Sequence, residues 1–237
     1  MTDVTKSAPK IAGMFDAIAG RYDFLNHFLS AGIDRRWRRQ AVQSLGLTGS
    51  ERVLDLCTGT GDLAIALRSG RPAAVRVIGI DFAAAMLAVG RDKLRRRGLA
   101  DRIHVVRADA TRVPLPDGSV DGVTVGFGIR NVDDTAAACR EMVRVLAPGG
   151  RLAILEFAVP ASPLFRGIYM WYFRHVLPRL GRLISRHDMA YDYLPASVGA
   201  FASPADFAAV LQHAGFVDVS ARPLTFGSVV LYNAKKP

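Results

Sequence analysis

The residues with the clearest chemical meaning form a glycine turn that follows an apolar run. Asp55 stands near the end of that run, and Gly59 and Gly61 follow it closely. A strand that leads through such a turn into a helix presents backbone N–H groups to a ligand. Residues 59–64 satisfy the GxGxxG/A pattern of dinucleotide-binding turns, and Asp81 follows at the typical spacing of about 20 residues. An acidic residue there accepts hydrogen bonds from ribose hydroxyls, so Asp81 predicts a ligand that contains adenosine.

Asp55 separates two classes of adenosine-containing ligand. The pyrophosphate of a nicotinamide dinucleotide is doubly anionic, and a carboxylate beside the glycine turn would repel it by roughly 1–4 kcal/mol at a few ångströms. S-adenosylmethionine carries an ammonium and a sulfonium group and no phosphate. Asp55 therefore favours S-adenosylmethionine, with a capping or turn role for this side chain as the alternative that the sequence leaves open.

Two later segments point to the same ligand. The third apolar run ends in Asp109-Ala110, where a carboxylate can meet the amino group of adenine, and Pro148-Gly149-Gly150 precedes the fifth run. An acidic strand end, a glycine turn, Asp81, Asp109 and Pro-Gly-Gly in this order resemble the class I S-adenosylmethionine-dependent methyltransferases. Cys57 stands where the first glycine of their loop usually lies.

Short β-branched runs alternate with helical segments from residue 50 onward. The runs are RVLDLC, VRVIGI, IHVVRA, GVTVGF and RLAILEF. Such alternation forms βαβ units and a parallel sheet that helices cover on both faces. The last two runs, FVDVSAR and FGSVVLYNA, are connected too briefly for a parallel crossover, so they must pair antiparallel. The sequence thus predicts an α/β fold of the Rossmann-like kind: a doubly wound, mostly parallel seven-stranded sheet with a terminal antiparallel strand.

A chain of 237 residues is long enough for a single domain with additions. We expect N-terminal helices over 11–46, a cofactor-binding core over 50–157, a substrate lid over 158–203, and a C-terminal helix and two strands over 204–235. In the first part, Gly20 and Gly32 are expected to separate helices, and Asp34 is expected to cap the last of them.

The composition limits where the chain acts. Lys and Arg number 31 against 21 Asp and Glu, a formal net charge of +10 that favours anionic partners such as nucleic acid or a membrane surface. Cys57 and Cys139 show no metal-ligand spacing and fit a reducing compartment. Residues 1–10 lack the apolar segment of a signal peptide, and no apolar run reaches the length of about 18 residues that spans a bilayer. We therefore expect a cytoplasmic protein without a metal site.

Several motifs beyond the cofactor core are similar to those of one family, the C-methyltransferases of ubiquinone and menaquinone biosynthesis. They are RYDFLN (21–26), LSAG (29–32), RWR (36–38), FGIRNV (127–132), RVLAPGG (144–150), LEF (155–157) and YLPASV (193–198). The resemblance covers residues 11–235 and implies that S-adenosylmethionine is the cosubstrate. We expect its site to comprise Asp55, Gly59, Thr60, Gly61, Asp81, Asp109 and Ala110.

The same resemblance implies the acceptor and also shows departures. It implies a prenylated quinol, with demethylmenaquinol as the expected substrate and a benzoquinol precursor or another small molecule as alternatives. Thr225-Phe226-Gly227 and Tyr232-Asn233 stand where the family tends to have Thr-Gly-Gly and a His. Gly126 stands where the family often has Ser, so a hydroxyl contact is lost there.

Methylation of a ring carbon requires alignment and an electron-rich acceptor, because the sulfonium already provides a good leaving group. A quinone carbon is a poor nucleophile, so the substrate must be the reduced quinol, and partial loss of a phenolic proton activates it. Arg130 and Asn131, just past the fourth strand, are predicted to orient water or to stabilise the developing phenolate. A salt-bridged loop role is the alternative for Arg130. Tyr22, His175 and His187 are lesser candidates.

An acid-free segment predicts where the positive charge acts. Residues 157–187 contain no Asp or Glu, and His175, Arg179, Arg182 and Arg186 share one helical face beside aromatic side chains. This pattern predicts peripheral contact with the inner face of a membrane. A helix packed on the core with a solvated arginine edge is the alternative.

Three other functions were weighed against quinol methylation. Methylation of nucleic acid is disfavoured, since Gly126-Phe127-Gly128 replaces the Asn/Asp-Pro-Pro-aromatic motif of such enzymes, and we expect no nucleic-acid partner. An NAD(P)-dependent oxidoreductase predicts that Asp55→Ala leaves cofactor binding intact or improves it, whereas the methyltransferase interpretation predicts loss. The third alternative is a catalytically silent adenosine-binding module.

Overall fold

The computed structural model describes residues 8–69, 76–172, 175 and 189–237, which form alternating strands and helices. The helices are α1 Ala8–Leu29, α2 Asp34–Ser44, α3 Asp62–Ser69, α4 Ala84–Arg96, α5 Thr135–Val145, α6 Pro163–Trp171, α7 Met189–Ala200 and α8 Pro204–His213. The strands are β1 Arg52–Leu56, β2 Arg76–Asp81, β3 Ile103–Arg107, β4 Val120–Gly126, β5 Leu146–Phe157, β6 Val217–Leu224 and β7 Val229–Lys235. Short 3₁₀ turns lie at Ile129–Asn131 and Thr225–Gly227.

One sheet joins the strands in the order β3-β2-β1-β4-β5-β7-β6. Strands β1 to β5 pair in parallel, and β7 pairs antiparallel with both β5 and β6. The predicted fold class is therefore confirmed. The antiparallel strand is the last in the chain, yet it lies inside the sheet rather than at its edge. The strand order reverses at β1, between β2 and β4, and such a switch point opens a crevice at the carboxyl ends of the strands.

Apolar residues cover both faces of the sheet, which explains the uninterrupted apolar runs in the sequence. Leu54 and Leu56 of β1 belong to a core cluster with α5 and α8 residues, whereas Val53 belongs to the opposite cluster with α2 and α3 residues. Asp55 shares the face of Val53, because side chains alternate along a strand. The two cores hold the ends of β1, β2 and β4 in a fixed relation, on which the glycine turn depends.

The N-terminal helices differ from the expectation in two ways. Helix α1 runs without interruption through Gly20, and Gly32, in a left-handed conformation, lies in the turn that follows the helix. Asp34 is the first residue of α2, whose N-cap residue is Ile33, and it does not cap the helix. Its carboxylate instead accepts a hydrogen bond from the Ser30 hydroxyl and contacts the Arg38 guanidinium. Because Asp34 is buried, its charge must be compensated by such partners, and the carboxylate is not free to bond the helix end.

The segment after α5 also differs from the sequence prediction, which places Pro148-Gly149-Gly150 before the fifth strand. Helix α5 ends at Val145, and β5 already begins at Leu146, so that Pro148-Gly149-Gly150 lies within the strand. The pairing of β4 with β5 shifts register between Val120 and Gly122, which accommodates the extra residues.

Helices α6 and α7 lie within residues 158–203, the segment that the sequence predicts to form a substrate lid. His187 and three of the four residues proposed for its basic face, Arg179, Arg182 and Arg186, lie outside the described residues. Within the described parts, no single helix is long and apolar enough to cross a membrane, although the bent pair Tyr193–Ala200 and Pro204–His213, which meet at 65°, passes a test of length and composition together.

Candidate active site

Two neighbouring cavities lie at the carboxyl end of the sheet. The first has a volume of about 250 Å³ and is lined by the glycine turn and by the ends of β1, β2 and β4. The second has a volume of about 260 Å³ and lies between α1, α2, the end of β5, and the region of α6 and α7. Phe15, Tyr22 and Phe127 line both cavities, so these three side chains mark the junction between them.

The first cavity brings together four of the residues predicted to bind the cofactor, namely Gly59, Asp81, Asp109 and Ala110. The Asp81 carboxylate accepts the backbone N–H groups of Gly59 at 2.7 Å and Ala83 at 2.8 Å. Burial raises the pKa of Asp81, and the N–H donors oppose that rise. Because β2 ends at Asp81, the carboxylate is fixed at the wall of the cavity beside the glycine turn.

Asp109 lines the same cavity just after β3, next to Ala108, whose backbone N–H donates to the Asp81 carbonyl at 3.1 Å. One of its oxygens accepts both the N–H and the hydroxyl of Thr111 at 2.8 Å, which closes a tight turn after β3. Ala110, the next residue, is nearly buried and contributes a small apolar surface to the cavity. This wall can therefore offer one acidic acceptor beside an apolar patch, which suits a flat aromatic base.

Asp55 lies beneath the glycine turn and does not line either cavity. It is fully buried, and its carboxylate accepts the hydroxyls of Thr58 at 2.5 Å and Thr124 at 2.8 Å. Burial raises the pKa of Asp55 to about 6, although these two bonds and the backbone N–H of Ala64 oppose the rise. Its contacts are those of the capping or turn role, since Ala64 lies in the first turn of α3.

Thr60 and Gly61 also lie outside both cavity walls. The Thr60 hydroxyl donates to Asp23 of α1 and lies 3.1 Å from the Lys93 ammonium of α4. Gly61 has a φ of +82°, a left-handed conformation that favours glycine, and its N–H closes the turn on the carbonyl of Thr58. These two residues therefore stabilise the conformation of the glycine turn without lining a cavity.

A cluster of buried and half-buried charges ties α1 to this turn. Lys93 lies 2.6 Å from Asp23 and 2.7 Å from Asp62, and Arg38 lies 3.2 Å from Asp62 and also pairs with Asp34. Burial opposes the ionisation of Asp62, but Arg38 and Lys93 outweigh it and lower its pKa. The sequence patterns single out neither Asp23 nor Lys93 as a site residue, although Asp23 belongs to the motif RYDFLN.

One corner of this cluster has the spacing of a metal site. The candidate ligand atoms of His27, Asp34 and Asp62 all lie within 4.8 Å of one another. The Arg38 guanidinium contacts both carboxylates, and it already supplies positive charge between them. The geometry therefore gives the cluster a role in holding α1, α2 and the glycine turn together.

The segment FGIRNV places its two predicted catalytic residues on different cavities. Phe127 has a φ of +60°, and the 3₁₀ turn that follows directs Arg130 to the second cavity and Asn131 to the first. Asn131 accepts a hydrogen bond from the Tyr193 hydroxyl at 3.0 Å. Tyr193 lines the second cavity, so this bond joins the walls of the two cavities.

Arg130 is held by a buried ion pair. Its Nη1 lies 2.7 Å from the Glu156 carboxylate, its Nε donates to the Ser197 hydroxyl, and its guanidinium lies 5.4 Å from the centre of the Phe157 ring. The salt-bridged alternative and the site role are thus compatible, because the ion pair fixes a cation at the wall of the second cavity.

Tyr22 stands at the junction of the cavities on α1. Burial raises the pKa of its hydroxyl, while a hydrogen bond with the Asn26 side chain and the charges of Arg130 and Arg38 oppose the rise. The phenol therefore stays protonated at neutral pH and can donate a hydrogen bond. His175, by contrast, contacts Trp171 and lines neither cavity.

Aromatic rings dominate the second cavity. Trp37, Phe127 and Phe157 form a contact cluster, with ring centres 4.5 Å apart for the two phenylalanines. Tyr172 contributes another ring, and its hydroxyl donates to the carbonyl of Leu29 at 3.0 Å. A cavity of this composition suits a flat, apolar ring with few polar groups.

Cys57 replaces a loop glycine and still adopts the glycine-like conformation, with a φ of +55°. Its side chain is accommodated because Gly128 lies opposite. A Cβ atom at Gly128 would lie 2.3 Å from the Cβ of Cys57, which no real contact allows. Burial raises the pKa of the Cys57 thiol well above its usual value, so it remains a neutral wall of the first cavity.

Comparison with known proteins identifies the family. The model of the ubiE/COQ5 methyltransferase family matches residues 1–236. The chain belongs to that family. The resemblance predicted from the sequence motifs is thereby confirmed.

Individual relatives of the ubiE/COQ5 methyltransferase family agree with this assignment. A protein of Geobacter sulfurreducens named "Ubiquinone/menaquinone biosynthesis C-methyltransferase UbiE" is 46% identical over 236 residues, which are 100% of this chain and 92% of that protein. A "Demethylmenaquinone methyltransferase" of Thermus thermophilus is 48% identical over 224 residues, 94% of this chain and 100% of that protein. The solved structure of a SAM-dependent methyltransferase from Aquifex aeolicus matches in fold, with a TM-score of 0.62, 18% identity and coverage of 84% and 89%.

Proposed function

We propose that this protein transfers a methyl group from S-adenosylmethionine to a ring carbon of a prenylated quinol, with demethylmenaquinol as substrate and menaquinol as product. The observation that carries this proposal is the pair of cavities that meet at Phe15, Tyr22 and Phe127. One is acidic and adjoins a glycine turn, and the other is aromatic and contains a fixed cation. The names of the relatives support the same reaction. A benzoquinol precursor is the alternative acceptor.

The first cavity fits the methyl donor. Asp81 would accept the ribose hydroxyls, Asp109 would accept the adenine amino group, and Gly59 allows close approach of the methionine part. When bound, S-adenosylmethionine supplies the methyl group on a sulfonium that is also the leaving group. Asp55, Thr60 and Gly61 act indirectly in this proposal, because their contacts hold the turn and the start of α3 in place.

The second cavity fits the acceptor ring and its activation. Arg130 would stabilise the negative charge that develops on a quinol oxygen as its proton leaves. It cannot itself accept that proton, since a guanidinium stays charged. Tyr22, which lines both cavities, and Asn131, which lines the first cavity and accepts a hydrogen bond from Tyr193 of the second, would hold at the junction the water molecule that takes the proton. The junction residues restrict the approach of the two reactants to one direction, which an in-line displacement requires.

The proposed acceptor is carried in a lipid bilayer, so we also propose that the protein acts in the cytoplasm with peripheral contact to the membrane. The acid-free segment 157–187 and the net charge of +10 support this part of the proposal.

Transfer of a labelled methyl group tests the proposal. The purified protein is incubated with methyl-labelled S-adenosylmethionine and either demethylmenaquinone or a benzoquinone precursor, with and without dithionite, and the product is analysed by mass spectrometry. We expect the label on the naphthoquinol ring only after reduction. Transfer that does not depend on reduction would refute the quinol mechanism, and transfer to a benzoquinol alone would replace the acceptor.

A further inference from the structure

Exposed apolar side chains lie on α1, on α6, just before α2 and in the 225–227 turn, the same parts of the chain that supply residues lining the second cavity. We call this set the apolar rim, and its members are Phe24, Phe28, Ile33, Leu164, Trp171 and Phe226, which are 39–70% exposed. Ile33 lines the cavity itself, Phe226 lies within the 225–228 turn, whose two ends line it, and Trp171 directly precedes the lining residue Tyr172. The other large apolar residues that are exposed in the described parts are single valines on β3, β6 and the segment after β5.

Phe226 is the most informative member of the rim. Its φ of +57° lies in the left-handed region, as does that of Thr225 at +43°, and such a conformation is costly for a residue with a bulky side chain. Glycine would adopt this backbone without strain, whereas Phe226 adopts it and presents a ring that is 70% exposed.

The turn that carries Phe226 is held from both sides. The Trp37 indole donates to the Thr225 hydroxyl at 2.8 Å, and the Phe226 ring stacks on Phe165 of α6, with centres 4.2 Å apart and planes 8° from parallel. The ring is therefore positioned rather than loose. The backbone at Phe226 is strained, yet most of the ring is not buried within the folded chain. An exposed apolar side chain held in this way indicates a partner that buries it.

Positive charge adjoins the rim. Helix α2 begins directly after Ile33 and carries exposed Arg35, Arg36 and Arg39. Within the described residues, none of these three forms an ion pair with a carboxylate. Apolar wedges beside unpaired cations complement the interface of an anionic bilayer, where rings enter the acyl boundary and arginines meet phosphates.

We infer that the apolar rim is the surface by which this protein docks on an anionic membrane, with Phe226 as a principal wedge and the mouth of the second cavity facing the lipid. The reason for such docking rests on the proposed function: a quinol carried in the bilayer could enter the second cavity without crossing water. The contact itself is measurable without any methyl transfer.

Flotation with vesicles tests the inference directly. Wild type, Phe226→Gly and Val217→Ser are mixed with vesicles of phosphatidylcholine alone or with phosphatidylglycerol. Glycine suits the left-handed backbone, so Phe226→Gly removes the ring without straining the fold. Val217, on β6, is an exposed apolar residue outside the rim and serves as the matched control.

We expect wild type and Val217→Ser to float with anionic vesicles, and Phe226→Gly to bind about tenfold more weakly, as burial of one aromatic ring predicts. Methylation of a water-soluble quinol without a prenyl tail should be the same in all three. Equal flotation of Phe226→Gly, or no flotation of wild type at low salt, would overturn the inference. So would a wild-type dimer that Phe226→Gly dissociates, since the rim would then bind a second copy. Absence of methyl transfer with normal flotation would refute the proposed function alone.

Discussion

Replacement of Asp55 by Asn examines the contacts beneath the glycine turn. The carboxylate is fully buried and accepts two threonine hydroxyls. Asn has nearly the same shape and retains one oxygen acceptor, whereas its amide group can donate to a hydroxyl. The change therefore removes the titratable charge and preserves most of the hydrogen-bond geometry around Thr58 and Thr124.

The contribution of Asp55 to the free energy of unfolding follows from its pKa, which burial raises from 3.8 to about 6. The folded protein holds this proton more tightly than the unfolded chain does, so the contribution to the free energy of unfolding is largest below pH 4. It declines as the pH rises from about 4 to about 6 and is then constant. Since a tenfold change in an equilibrium constant is about 1.4 kcal/mol, the whole decline is about 3 kcal/mol.

The assay is urea denaturation of wild type and Asp55→Asn at several pH values between 4 and 7. We expect the variant to gain about 2.4 kcal/mol relative to wild type over this range, since the unfolded carboxyl is already more than half ionised at pH 4. The difference between the two proteins isolates Asp55, because other groups titrate in both. S-adenosylhomocysteine should bind the variant within about tenfold of wild type, since Asp55 lines neither cavity.

Two results would refute this reasoning. A difference in unfolding free energy that does not change with pH would show that Asp55 has no raised pKa. A loss of S-adenosylhomocysteine binding far beyond tenfold, in a variant that remains folded at pH 7, would show direct contact between Asp55 and the ligand.

Three further substitutions separate the parts of the site. Asp81→Asn should weaken S-adenosylhomocysteine binding by about 1.5–3 kcal/mol, the value of a hydrogen bond to a charged group, and calorimetry that finds unchanged affinity would contradict the ribose assignment. Glu156→Gln should lower the free energy of unfolding by about 3 kcal/mol, because it leaves the Arg130 cation buried without its anion, and a second change of Arg130 to Met should recover part of that loss in urea denaturation. Asp23→Asn should lower the free energy of unfolding by about 1 kcal/mol, because it weakens the contact between α1 and Lys93. It should also raise the KM for S-adenosylmethionine more than it lowers kcat. An unchanged KM would show that this contact does not support the donor site.

The features that the sequence predicts well are local or repetitive. The strand, turn and helix around Gly59 and the acid at the end of β2 follow from residue types at fixed spacing, and alternating runs predict the parallel sheet. The family resemblance adds the expected acceptor and the importance of FGIRNV. These predictions need no knowledge of contacts between distant parts of the chain.

The features that the sequence does not predict depend on such contacts. The sequence predicts Thr60 at the ligand, whereas its hydroxyl donates to Asp23, which lies 37 residues earlier. The sequence also predicts that Asp55 faces the ligand, but β1 is covered on both faces, so the pattern of apolar residues does not determine which way this side chain points. The continuity of α1 through Gly20 likewise depends on packing against α4 rather than on helix propensity.

In the proposed complex the methyl donor occupies the first cavity, the quinol occupies the second, and they meet at Tyr22 and Phe127. A crystal structure with S-adenosylhomocysteine and a reduced short-tail demethylmenaquinol would locate both ligands. We expect adenosine between Asp81 and Asp109, sulfur at the junction, and a quinol oxygen beside Arg130. Adenosine in the second cavity, or a quinol ring bound away from Tyr22 and Phe127, would contradict this proposal.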